Sequence, residues 1–152
     1  MTRRSALGLA LLVAMAGCQS TTTPPATLDA AHDTCASCRM VVSEQRLASQ
    51  VVAPYEEPRF FDDLGCLARY LSEHPAQPSG ARVYVADHRT RDWVPAEQAI
   101  YSSVPSITAP MGSHVVAHAS VQSRDDDRST PGGSPVPVQE LFGGHFPNGG
   151  PR

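Results

Sequence analysis

The sequence predicts a small α+β domain of short strands and two short helices. Three observations carry this. Apolar and β-branched runs are only four to seven residues long, as at residues 47–53 and 82–86. One segment has a clear helical stripe, with Leu64, Leu67, Ala68 and Leu71 at i, i+3, i+4 and i+7. Pro (14) and Gly (11) interrupt the 152 residues often enough to keep the elements short and to leave unstructured flanks.

In chain order, residues 40–42 and 47–53 read as two strands joined by a polar turn at 43–46. Residues 59–61 read as another extended piece. Asp62 or Asp63 then caps a helix that ends before Pro75, because the residue preceding a proline avoids the helical region. Capping also explains the two carboxylates better than catalysis does. Residues 82–86 and 92–94 form a hairpin around a turn at 87–90, with Trp93 as a core anchor. Pro95 sits at the first position of a second helix, 95–101. Residues 111–113 make a turn and 114–121 a strand. The order β-β-α-β followed by a β-α-β-like run raises the option of two similar units packed together. Four histidines, His32, His74, His88 and His145, have no partner spacing and read as surface residues.

The flanks read differently. Arg3 and Arg4 precede an apolar run at 7–15, too short to cross a bilayer and suited to an export signal. It ends Met15-Ala16-Gly17-Cys18, which resembles a bacterial lipobox, with Cys18 as the acylated first residue of the mature chain. The expected divisions are a lipoprotein signal peptide at 1–17, a lipid-anchored flexible linker at 18–31, the folded domain at 32–121 and a disordered tail at 122–152. Gln19 after the cysteine favours an outer-membrane address on the periplasmic side. A net charge of −3 supplies no basic field for nucleic acid.

Four cysteines less Cys18 leave Cys35, Cys38 and Cys66, an odd count for an exported protein. It fits thiols kept as metal ligands, or one redox pair and a bystander. It does not fit a zinc ribbon, which needs a second C-x-x-C pair. Cys35-x-x-Cys38-x-Met40 gathers three soft sulfurs, which suit Cu(I) and not Ca²⁺ or Mg²⁺. Cys66 lies in the first turn of the first helix. There the helix dipole favours thiolate, and the alternative is a small buried hydrophobe.

Four motifs occur in order: Cys35-x-x-Cys38-x-Met40, Phe61-Asp62-Asp63-Leu64-Gly65-Cys66-Leu67, Val85-x-Asp87 with Trp93-x-x-Ala96, and Pro110-Met111-Gly112. Together, after a lipobox, they resemble the NosL family, copper-binding lipoproteins associated with maturation of nitrous oxide reductase. The resemblance implies treble-clef-like ββαβ units and a non-catalytic role as a Cu(I) metallochaperone. It implies delivery through an ABC-type maturation complex to nitrous oxide reductase or another cuproenzyme. It carries the soft-ligand positions onto Cys35, Cys38, Met40 and Met111. Cys66 is a further candidate from its own position, as are His114 and His118 near Met111, where this chain departs from the apolar or small residues commoner in the family; either histidine joins the site or faces solvent. Arg39 departs from the glycine usual before the Met. A thiol–disulfide redox lipoprotein and a zinc-stabilised structural lipoprotein are the alternatives to copper delivery.

Overall fold

The computed structural model describes residues 22–143. The segment expected to be a signal peptide, with Cys18, Gln19 and His145, lies outside them. Among the described residues, no helix is long and apolar enough to cross a membrane.

The fold is α+β, with two antiparallel sheets. The strands are β1 (Ser49–Val52), β2 (Arg59–Phe61), β3 (Arg82–Ala86), β4 (Trp93–Pro95), β5 (Ile100–Ser103), β6 (Val115–His118) and β7 (Ser134–Val136). The helices are α1 (Leu64–Glu73), α2 (Val121–Asp126) and α3 (Val138–Phe142). Four strands form one sheet in the order β2-β1-β3-β4, and three form the other in the order β6-β5-β7. Both inner strands of the larger sheet are buried nearly throughout. The proline of β4 sits on an edge strand, where its missing N–H costs no ladder bond.

α1 packs against β1, β2, β6 and α3. Its stripe buries Leu64, Leu67 and Leu71, and Cys66 and Tyr70 join them in the core. Full burial of Leu67 and Leu71 contributes about 2 kcal/mol each by area alone. The two sheets meet at the β3–β4 turn. The Asp87 carboxylate accepts from the N–H groups of Arg89 and Thr90 in its own turn. Across the junction it accepts from Ala119 N–H and Ser123 Oγ, and His88 N–H donates to Ala117 O. Burial works against the Asp87 charge, but these hydrogen bonds more than offset it and hold the carboxyl below its ordinary range.

The structure differs from the sequence reading in four places. Residues 40–42 make no strand; Val41 forms an isolated bridge to Thr34, and a 3₁₀ turn at Gln45–Leu47 follows. No helix forms at 95–101. Pro95 closes β4, Gln98 N–H turns back to Pro95 O, and Ile100 and Tyr101 enter β5. A β-branched and an aromatic residue, Ile100 and Tyr101, pair in a sheet instead, which outweighs the weak helical preference of so short a segment.

The linker and tail readings also change. Ala26 exchanges two hydrogen bonds with the buried Gln50 side chain, and Tyr84 Oη donates to Thr23 O. Residues 22–31 therefore lie against the larger sheet in part. From residue 121 the chain continues through α2, β7 and α3, so the fold includes at least residues up to 142. Phe142 is buried edge-to-face on Tyr101, with ring centroids 5.6 Å apart. This tail looked disordered because its apolar anchors are few and widely spaced. β7 is held mainly by backbone pairing to β5.

Candidate metal centre

The C-x-x-C segment folds back on itself. Cys35 N–H donates to Met40 O at 2.7 Å, and Arg39 N–H donates to Cys35 O at 3.0 Å. Ala36 N–H donates to Phe60 O and pins the turn to β2. β2 runs straight into α1, so the turn is brought to the start of that helix.

The reversal needs a left-handed residue, and Arg39 supplies it at φ 69°. A side chain with a Cβ costs about 1 kcal/mol or more there. Arg39→Gly is therefore expected to raise stability by about 0.5–1 kcal/mol. A thermal melt would check this, and a fall in melting temperature would mean the guanidinium contributes more than the backbone loses.

Asp62 and Asp63 divide their work. They link β2 to α1 and bond to different groups. Asp63 Oδ1 accepts from Cys66 N–H at 2.8 Å and caps α1. Its Oδ2 accepts from Met111 N–H at 3.1 Å and Ser113 N–H at 3.3 Å. One carboxylate thus anchors the Met111 turn to the helix start. Gly65 allows this approach, since a Cβ there would meet Asp63 Oδ1 and Ser113 Cβ at 3.1 Å.

Asp62 turns toward the thiols. Its Oδ2 accepts from Cys38 Sγ at 3.0 Å, and its Oδ1 is buried with no hydrogen-bond partner. Cys35, Cys38, Asp62 and Cys66 each offer one ligand atom, all within 4.8 Å of one another. Cys35, Asp62 and Cys66 are buried and Cys38 is half-buried.

Burial pushes the Cys38 thiol up to about 11; the Asp62 hydrogen bond adds to this and the Met40 amide opposes it. Burial, with Asp62 and Cys35 beside it, drives the Cys66 thiol well above the usual thiol range. The helix-dipole expectation of a thiolate at Cys66 therefore does not hold. The dipole is worth under about 1 kcal/mol, less than the desolvation it would have to overcome. Cys38 and Cys66 are neutral thiols near neutral pH.

Among the other candidates, Met40 is 53% exposed and Met111 42% exposed. His114 is exposed, at φ 52°, with Nδ1 2.7 Å from Ile107 O. His118 is wholly buried and belongs to a separate cluster with His88 and Asp127. His88, read as a surface residue, is likewise buried. His32 is exposed beside Asp29, and His74 stacks on Tyr70.

The residue that sequence reasoning missed is Asp62. The signal was the doubled aspartate: only one of two neighbours can cap a helix, and the other must find different work.

This fold and this cluster define a class: a small α+β protein carrying a buried, thiol-rich site suited to a soft metal. The chain belongs to the NosL family, which it matches over residues 25–141. Comparison with curated proteins and with solved structures found no match. Family membership and the Cys/Asp cluster together suggest copper binding.

Proposed function

We propose that this chain is a periplasm-facing lipoprotein, anchored through acylated Cys18, that binds Cu(I) as cargo and delivers it for assembly of nitrous oxide reductase or another cuproenzyme. It acts as a carrier without catalysis, handing the ion on through an ABC-type maturation complex. The observation that carries this reading is the convergence of three thiols and one carboxylate at the start of α1. Three soft sulfurs favour Cu(I) over harder ions.

Cys35, Cys38 and Cys66 hold the ion in this reading, and the thiol protons leave as it binds. Asp62 orients Cys38 and is placed to receive that proton. Met40 follows the C-x-x-C turn and Met111 is tied to Asp63 through its backbone, both side chains exposed. Neutral thioethers bind more weakly than thiolates and can be displaced one at a time, which suits hand-over to an acceptor. The lipobox-like sequence at residues 15–18 supports the anchor, and Gln19 the outer membrane.

The test is a competition titration of the reduced full chain, with Cu(I) offered against a chromophoric chelator. Roughly one tightly held Cu(I) per chain is expected. Binding no tighter than that of a chain with the thiols alkylated would end the copper reading and return attention to the redox and zinc alternatives.

The affinity is also expected to climb with pH. The Cys38 thiol stays protonated up to about 11 in the empty protein, so binding displaces a proton throughout the neutral range. The logarithm of the apparent affinity then rises by about one per pH unit for each thiol ionised. A profile that is flat between neutral and mildly alkaline pH would mean that no thiol proton is displaced.

A further inference from the structure

We propose that His88, His118 and Asp127 form a second metal site, for a borderline divalent cation of the zinc type, separate from the thiols. The inference does not rest on the copper reading.

Three distant segments build the cluster. His88 follows Asp87 in the β3–β4 turn, His118 ends β6, and Asp127 is the C-cap of α2. The Asp87 carboxylate and the His88–Ala117 backbone bond fasten these segments together. His88 is 2% exposed, His118 0% and Asp127 8%. So many ionisable groups rarely share a buried spot without a purpose.

Asp127 Oδ2 lies 2.7 Å from His88 Nδ1 and 3.0 Å from His118 Nε2. The three ligand atoms all lie within 4.8 Å of one another. Tetrahedral zinc with bonds near 2.0 Å sets its donors about 3.3 Å apart, so the carboxylate would draw back by about 0.6 Å from His88 and about 0.3 Å from His118 to admit the ion. The other carboxylate oxygen, Oδ1, is held by Ser129 N–H at 3.0 Å and Ser129 Oγ at 2.6 Å. Such an outer contact fixes a ligating carboxylate in direction. His118 Nδ1 is buried without a hydrogen-bond partner.

A cleft of about 440 Å³ reaches Asp127, lined also by Arg124, Asp125, Thr130 and Gly133. It supplies a path for the ion and room for water as a fourth ligand. Two imidazole nitrogens and one carboxylate oxygen suit zinc; Cu(I) prefers the thiols, and Ca²⁺ and Mg²⁺ prefer all-oxygen cages. Each imidazole binds as the neutral tautomer, with its proton on His88 Nε2 or His118 Nδ1. The bound ion adds two positive charges, one of which the Asp127 carboxylate offsets.

The test uses the full chain carrying Cys35→Ser and Cys38→Ser, so that zinc cannot use the thiol pair. Titration with Zn²⁺ against an indicator is expected to show one equivalent bound, with a melting temperature that rises with free zinc. X-ray absorption at the zinc edge is expected to show nitrogen and oxygen at about 2.0 Å, with imidazole scattering and no sulfur at about 2.3 Å. Asp127→Asn and His118→Gln are expected to weaken binding at least tenfold, about the least that loss of a ligand costs. No saturable uptake at micromolar free zinc, or sulfur in the first shell, would overturn the site. So would unchanged affinity in a folded Asp127→Asn chain. Should both variants fail to fold, the absorption spectrum of the parent decides the matter.

Discussion

The Cys35→Ser/Cys38→Ser double variant is expected to lose at least about 1000-fold in Cu(I) affinity, a modest share of the on the order of 10 kcal/mol that thiolate-rich ligation supplies. Two of three thiols are gone, leaving Cys66 and the hard carboxylate of Asp62. A hydroxyl does not ionise at accessible pH and is a poor partner for a soft ion. The fold should survive. The hydroxyl introduced by Cys38→Ser can still donate to Asp62 Oδ2, as the Cys38 thiol does. The change at Cys35 puts a hydroxyl in a fully buried position and costs about 1–3 kcal/mol. Competition titration reads the affinity, and circular dichroism confirms that the chain compared is folded. Undiminished binding by a folded double variant would remove both thiols from the site.

Asp87→Ala is expected to be the most destabilising single change outside the thiol site, by about 3–5 kcal/mol. The side chain is wholly buried, and its two oxygens accept four hydrogen bonds. Alanine would leave three N–H groups and one hydroxyl without that acceptor, at the junction where β6 and α2 are fastened to the β3–β4 turn. Against a typical stability of about 5–15 kcal/mol, that is a large share. Urea unfolding measures it, with the exposed Asp92→Ala as a control expected to move by under about 0.5 kcal/mol. A loss below about 1 kcal/mol would show that the junction is held elsewhere. The contribution also has a pH dependence. The folded carboxyl titrates below its ordinary 3.8, so its stabilisation is full above that pH. It fades as the pH falls further, because the unfolded chain takes the proton first.

Several elements were legible because their signals are local. The α1 stripe, the Asp cap and the proline after the helix all lie within about fifteen residues, and the helix forms as they predict. The β3–β4 hairpin has two apolar runs around Asp-His-Arg-Thr. The predicted helix at 95–101 failed because its propensity was weighed without the pairing offered by β6, more than a dozen residues on. The ordered tail was illegible for the same reason: Phe142 packs on Tyr101, which lies far back in the chain.

By itself the sequence determined the α+β class, the capped helix, the family and the identity of the soft sulfurs, since each depends on residue type and short spacing. Only the tertiary structure decided which groups meet. It brought Cys66 and Asp62 to the C-x-x-C turn, because that turn is bonded to β2 and β2 leads through the two aspartates into α1. It separated His118 from the thiols and joined it to His88 and Asp127. Burial then settled the protonation of Cys38 and Cys66: away from water a neutral thiol costs less than an anion, whatever the helix dipole favours.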